Sequence, residues 1–164
     1  MMQNYYHTFA KKIMQAVLII HSLIRWAILI LGLIAVIKAI GGISGNRPYS
    51  NSENKTSLFF MVCCDIQFIL GLLLYFGNSW FDQLKDPANM KIAGIRFFTV
   101  EHSIMMIIAW ILVHVGRVAV KKAALDLTKH KRTLIFFGLA LIIILAAIPW
   151  PIRQAIARPL FRFS

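Results

Sequence analysis

Residues 134–150 read LIFFGLALIIILAAIPW, with no charged or amide side chain among them. A helix of a soluble bundle keeps a polar stripe at helical spacing on its outer face. This stretch has none, so every face of the helix is compatible with lipid. Three more blocks of the same character precede it, residues 13–37, 58–76 and 97–116, of 25, 19 and 20 residues against 17 for the last. At 1.5 Å per residue, about 20 residues cross a hydrocarbon core of about 30 Å. The fourth block reaches that length with Thr133 and Ile152. The blocks predict an all-α integral membrane four-helix bundle of up-down topology, a single transmembrane domain with helices at 13–37, 58–76, 97–116 and 133–152. Residues 153–164 form a C-terminal interfacial tail.

Composition agrees. The 164 residues are 59% hydrophobic, with a mean hydropathy of +0.72, where soluble domains hold about 45–50% apolar residues. The first block follows Lys11 and Lys12, but its apolar stretch is too long for a signal peptide and no small-residue cleavage site follows it. The connections are short and polar: 38–57, rich in glycine, serine and asparagine; 77–96, with Trp80, Phe81 and Pro87, partly along the interface; and 117–132. No internal repeat and no soluble domain stand out.

The net charge of +12 comes from bases at the ends of apolar spans, where they meet headgroups and set orientation, which argues against a nucleic-acid partner. Counted by side, eight bases with the termini face nine opposite them, so the tally decides nothing. Density decides: 117–132 carries six bases in one short loop. That places the loop in the cytoplasm and both termini in the periplasm of a bacterial inner membrane.

Ionisable groups inside a bilayer cost at least about 2.5–3.5 kcal/mol each at its centre, so they face a partner, a cofactor or water. In HSLIRW, His21 and Arg25 stand four residues apart on one helix face. CCDIQ carries Asp65 and Gln67 near the middle of the second helix, and FFTVEHSIMM carries Glu101 and His102 early in the third. Counted from helix midpoints, His21 and His102 lie in one leaflet, each roughly 6–7 Å from the bilayer centre. Arg25 and Gln67 fall at the centre, Asp65 about 3 Å beyond it, and His114 roughly 11 Å towards the opposite face, as an interfacial side chain.

Two level imidazoles on diagonal helices suit a b-type haem, which needs facing axial ligands, an apolar slot and cations for its propionates. His21 and His102 are then the iron ligands. Arg25, Arg96, Trp26, Phe97 and Phe98 line the slot or meet propionates, and Glu101 or Asp65 accepts the N–H of a ligating ring. A cofactor-free reading pairs His21 with Glu101 and Arg25 with Asp65 as a network that specifies helix packing. A third reading is a proton or ion pathway through Arg25, Asp65, Glu101 and His102, which a chain this small would complete as a homo-oligomer. Cys63 and Cys64 lack metal or redox spacing, Met61, Met105 and Met106 read as packing, and His7 and His130 lie outside the spans as solvated side chains. No nucleophile–base pair supports hydrolysis.

The tail, IPWPIRQAIARPLFRFS at 148–164, ends the helix at Pro149 and Pro151 and then alternates arginine with apolar residues. That pattern suits an amphipathic segment at the headgroups. A second reading folds it back over the leaflet of the two histidines, with Arg158 or Arg162 capping a propionate or docking a partner.

The set HSLIRW at 21–26, RFFTVEHSIMM at 96–106, IPW at 148–150 and RPLFRF at 158–163 resembles a group of small four-span membrane proteins of Bacteroidota-type bacteria labelled cytochrome b-like. The likeness runs almost end to end. It implies His21 and His102 as haem ligands with Arg25 and Glu101 in support. Where such a cytochrome would carry a further histidine in the second helix this chain has Asp65, which argues against a second haem. The expected function is single-electron transfer with quinol or a larger redox complex as partner, rather than stand-alone catalysis.

Overall fold

The computed structural model describes residues 2–161, apart from the side chains of residues 2–5 and 7; His7 and Arg162 therefore lie outside the description. The described residues are helical, with no strand. The long helices are α1 (Met2–Ser44), α2 (Asn51–Gly77), α5 (His102–Lys121) and α6 (Asp126–Ala147), with short helices α3 (Trp80–Gln83) and α4 (Ala93–Arg96) between α2 and α5. A π-helical turn, Phe97–Glu101, welds α4 to α5, so that Ala93–Lys121 is one span. Among the described residues four helices are thus long and apolar enough to cross a membrane, and the chain is a multi-pass membrane protein.

The spans run longer than the apolar blocks, because helix ends are set by caps and not by where hydrophobicity stops. The expected 38–57 loop shrinks to a turn in which Asn46 takes a left-handed φ of 45°. Ser50 and Glu53 then form a capping box: the Glu53 amide donates to Ser50 Oγ (3.3 Å) and the Ser50 amide to the Glu53 carboxylate (2.5 Å). The expected 117–132 loop shrinks likewise to the few residues between Lys121 and Asp126, which places Arg117 in α5 and Lys129, Lys131 and Arg132 in α6. At its other end α6 stops at Ala147, short of the expected residue 152, because Pro149 cannot continue it.

Helix α1 packs on α2 and α6, and α5 packs on α6 and α2, leaving α1 and α5 on a diagonal. The centre holds Phe60 against Phe137, ring centroids 5.2 Å apart, within a cluster that includes Ile28, Cys64, Val113 and Ile144. Outward positions such as Ile30, Ile37, Ile69, Ile135 and Ile142 are more than half exposed, the arrangement expected when the surroundings are lipid. Close approach depends on small residues, as is usual between membrane helices. A Cβ on Gly116 would stand 2.5 Å from Phe136 Cβ, while one on Gly138 would meet nothing within 4 Å.

Gly116→Val should therefore cost about 1–3 kcal/mol through overpacking, and Gly138→Ala should stay within about 0.5 kcal/mol of the parent. Unfolding of the detergent-solubilised protein measures both.

Candidate functional site

His21 and His102 occupy the same level of the bundle. His21 turns Nε2 towards Gly71 of α2, 3.8 Å from where a Cβ would stand. Four residues further along α2, Tyr75 donates its hydroxyl proton to the Thr99 carbonyl at 3.0 Å. Helices α2 and α5 are antiparallel, so stepping back one turn to Gly71 steps forward one turn from Thr99, to His102. The two imidazoles thus lie within one helical turn of each other in height, on the two diagonal helices.

The His102 ring is oriented by the end of α6. Its Nδ1 lies 2.9 Å from the Ala147 carbonyl, one of the last carbonyls of that helix and free of an intrahelical partner. A carbonyl only accepts, so Nδ1 carries the proton and Nε2 is left with its lone pair. Phe97 and Phe98 flank the ring at centroid distances of 5.8 and 6.2 Å. The π turn just before it, closed by the His102 amide on the Phe97 carbonyl, re-aims this stretch. Thr99 and Ser103 hydroxyls donate to the Ile95 and Phe98 carbonyls at 2.8 and 3.1 Å and satisfy the disturbed backbone.

Two expected pairings are replaced. Glu101 does not take a histidine N–H; it accepts from Arg96 Nε at 2.8 Å, while Arg96 Nη1 donates to the Met90 carbonyl at 3.2 Å. The Ala147 carbonyl does what Glu101 was expected to do, because the π turn carries Glu101 round to the side of Arg96. Nor does Arg25 meet Asp65: it donates to the Leu160 carbonyl and reaches Ser22 Oγ at 3.4 Å. Gln67 lies close to Asp65 in sequence but its Oε1 is buried without a hydrogen-bond partner.

The tail folds back onto the bundle, as the second of the two sequence readings had it. Trp26 Nε1 donates to the Leu160 carbonyl at 3.3 Å, and Phe161 stacks on Trp26 with centroids 5.3 Å apart. Ile156 is buried. Arg153 lies over Phe97 at 5.1 Å and donates to the Ala146 carbonyl at 2.9 Å, and Arg158 lies over Phe98 at 4.8 Å. Arg25, Arg96, Arg153 and Arg158 therefore collect with Trp26, Phe97, Phe98 and Phe161 at the histidine end. Prolines 149 and 151 turn the chain there, and cation–π contacts hold it.

Two polar groupings escaped the sequence reading. Asp65 accepts from Trp110 Nε1 at 2.7 Å and lies 3.2 Å from His114 Nε2, so His114 has a partner on α2 that the sequence reading did not give it. The spacing of Trp110 and His114, one turn apart on one face, was the available signal. At the opposite end, His130 is fully buried, not solvated: Nε2 donates to the Arg47 carbonyl at 3.1 Å and its ring packs on Gly42 and Tyr49. Arg117, also buried, donates to Asn54 Oδ1 at 2.7 Å and Ser57 Oγ at 3.3 Å. Burial raises the Tyr49 phenol above its ordinary pKa, which keeps it neutral beside this cluster.

These features define a polytopic four-helix membrane bundle with a level histidine pair under an arginine–aromatic cap. No family model, curated protein or solved structure matches the chain.

Phe161→Ala should loosen the tail and cost about 0.5–1.5 kcal/mol beyond the lost area, the worth of a stacked aromatic pair. Unfolding of this variant beside Trp26→Ala and the double variant measures the coupling.

Proposed function

We propose that this protein binds one b-type haem between His21 and His102 and passes single electrons. The observation that carries the reading is the level histidine pair with His102 held by the Ala147 carbonyl. A backbone carbonyl on Nδ1 is the usual way a ligating imidazole is oriented, and it leaves Nε2 as the metal-facing atom.

The residues present fit such a group. His21 and His102 would hold it through their imidazoles, Phe97, Phe98 and Trp26 would supply apolar walls, and Arg25, Arg96, Arg153 and Arg158 would supply positive charge for its carboxylates. The absence of a side chain at Gly71 leaves room beside His21. When bound, such a group would supply reversible one-electron oxidation and reduction. The chain's own part is to orient the two rings, exclude water with the folded tail and hold positive charge at that end. We place the protein in a bacterial inner membrane, with the basic end at Lys121, Lys122, Lys129, Lys131 and Arg132 in the cytoplasm and the tail on the periplasmic side. A quinol or a membrane redox complex is the partner class, and assembly as a homo-oligomer is compatible with the exposed apolar helix faces.

A second reading, a cofactor-free subunit of a larger membrane complex, is favoured by the Arg96–Glu101 and Asp65–Trp110 bonds, which complete polar pairs inside the chain. The pathway reading is less well supported, since Arg25, Asp65 and Glu101 engage separate partners.

Absorption spectra of the purified protein, oxidised and dithionite-reduced, with a pyridine haemochrome assay, separate these. The haem reading expects a Soret band that sharpens on reduction and about one haem per chain, with His21→Ala and His102→Ala each abolishing the pigment while Glu101→Gln keeps it. A protein that stays colourless after expression with a haem precursor overturns it in favour of the structural subunit.

A further inference from the structure

His114 has an acceptor in front of each ring nitrogen. Nδ1 lies 3.0 Å from the Trp110 carbonyl, so that nitrogen must carry a proton. Nε2 lies 3.2 Å from Asp65 Oδ1, the same oxygen that accepts from Trp110 Nε1 at 2.7 Å. A neutral imidazole has one N–H, already committed to the carbonyl. A bare lone pair facing a carboxylate oxygen at that distance is repulsive, so a further proton must stand between Nε2 and Oδ1. The pair holds it either as imidazolium and carboxylate or as imidazole and carboxylic acid. Phe68 stacked on Trp110 at 4.9 Å and Trp110 against the His114 ring at 4.4 Å keep the geometry closed on one side.

The surroundings make this a membrane site. Asp65 is the one carboxylate in α2 besides Glu53 at its first turn, and α1 has none. Ionisable groups on each packed element have their own partners: Lys38 of α1 bonds Ser52, Arg117 of α5 bonds Asn54, and Arg132 of α6 bonds the Ala119 carbonyl. Cys63 and Cys64 of α2 are free thiols. With 34% and 36% of the His114 and Asp65 side chains exposed, the pair is not sealed in. His114 lines an open surface depression of about 640 Å³ together with Val118, Ala119, Phe136, Lys122 and Arg132. Along α5, His114 is roughly 12 Å from Lys122 but roughly 30 Å from the start of the span at Ala93.

We propose that Asp65 and His114 form an intramembrane binding site for a single exchangeable proton, loaded from the aqueous phase at the Lys122 and Arg132 end and not from the tail end. It is independent of the haem reading: in the structure Asp65 turns to Trp110 and His114 and not to His21 or His102. Loading is protonation alone: one proton enters from water, the Nε2–Oδ1 gap gains it, and no electron moves. Asp and His in such positions characterise proton-handling membrane proteins.

The test uses the full chain in lipid bilayers at neutral pH. Nitrogen NMR with ring-labelled histidine, assigned through His114→Gln, and infrared spectra of the carboxyl stretch, assigned through Asp65→Asn, together count the proton. The expected result is either a His114 ring with both nitrogens protonated or an Asp65 carboxylic acid, with Asp65→Asn returning the ring to one proton and Trp110→Phe leaving the count unchanged. A neutral ring beside an ionised Asp65 in the parent protein overturns the site without any variant needing to fold. In sealed proteoliposomes of known orientation, a pH step at the basic end should change the infrared signal and a step at the tail end should not; an equal or reversed response overturns the loading side.

Discussion

A hydrocarbon interior offers no water to complete a hydrogen bond, so each polar atom carried into it must find its partner in the chain. That constraint accounts for most of the contacts that set this bundle. The Ala147 carbonyl, freed because α6 ends there, takes the proton of His102. The Leu160 carbonyl, on a segment outside any helix, meets Arg25 and Trp26. Asp65 meets Trp110 and His114 of α5, and the hydroxyls around the π turn fill carbonyls that the wider turn leaves open.

The same rule divides the molecule into two ends of different character. At one end the folded tail stacks aromatic rings and guanidinium groups over the His21 and His102 level, with ring faces taking the place of counter-ions for Arg153 and Arg158. At the other, His130, Arg117, Glu53 and Tyr49 are tucked beneath the capping box of α2, and polar bonds knit the turn between α1 and α2 to α5 and α6. Between them lies the Phe60–Phe137 core, whose packing depends on dispersion and on small residues that let helices approach.

The histidine pair and the Asp65–His114 pair differ in what their geometry makes available. His102 is left with an open lone pair and cationic groups nearby, which suits a metal-bearing ring. His114 has both nitrogens engaged, which suits a proton. The two histidines that differ in this way, His102 and His114, stand on the same helix, α5, about three turns apart.

The four spans were legible from sequence because the bilayer's length rule is local: an apolar run of the right size needs no knowledge of its neighbours. The shared height of His21 and His102 was legible for the same reason, since rise along a helix is fixed. Even the returning tail was one of two readings that Pro149, Pro151 and the alternating arginines allowed. Helix ends were less so, because the Ser50–Glu53 box and the buried His130 lie in polar stretches that look like loop until a neighbouring helix covers them. What only the tertiary structure decided was partnership: that Glu101 turns to Arg96, that Asp65 turns to Trp110 and His114, and that Arg25 meets a carbonyl from the far end of the chain. Height along a helix follows from counting residues, but which side chains meet depends on how each helix is rotated about its axis, and that rotation is set by packing among all four helices.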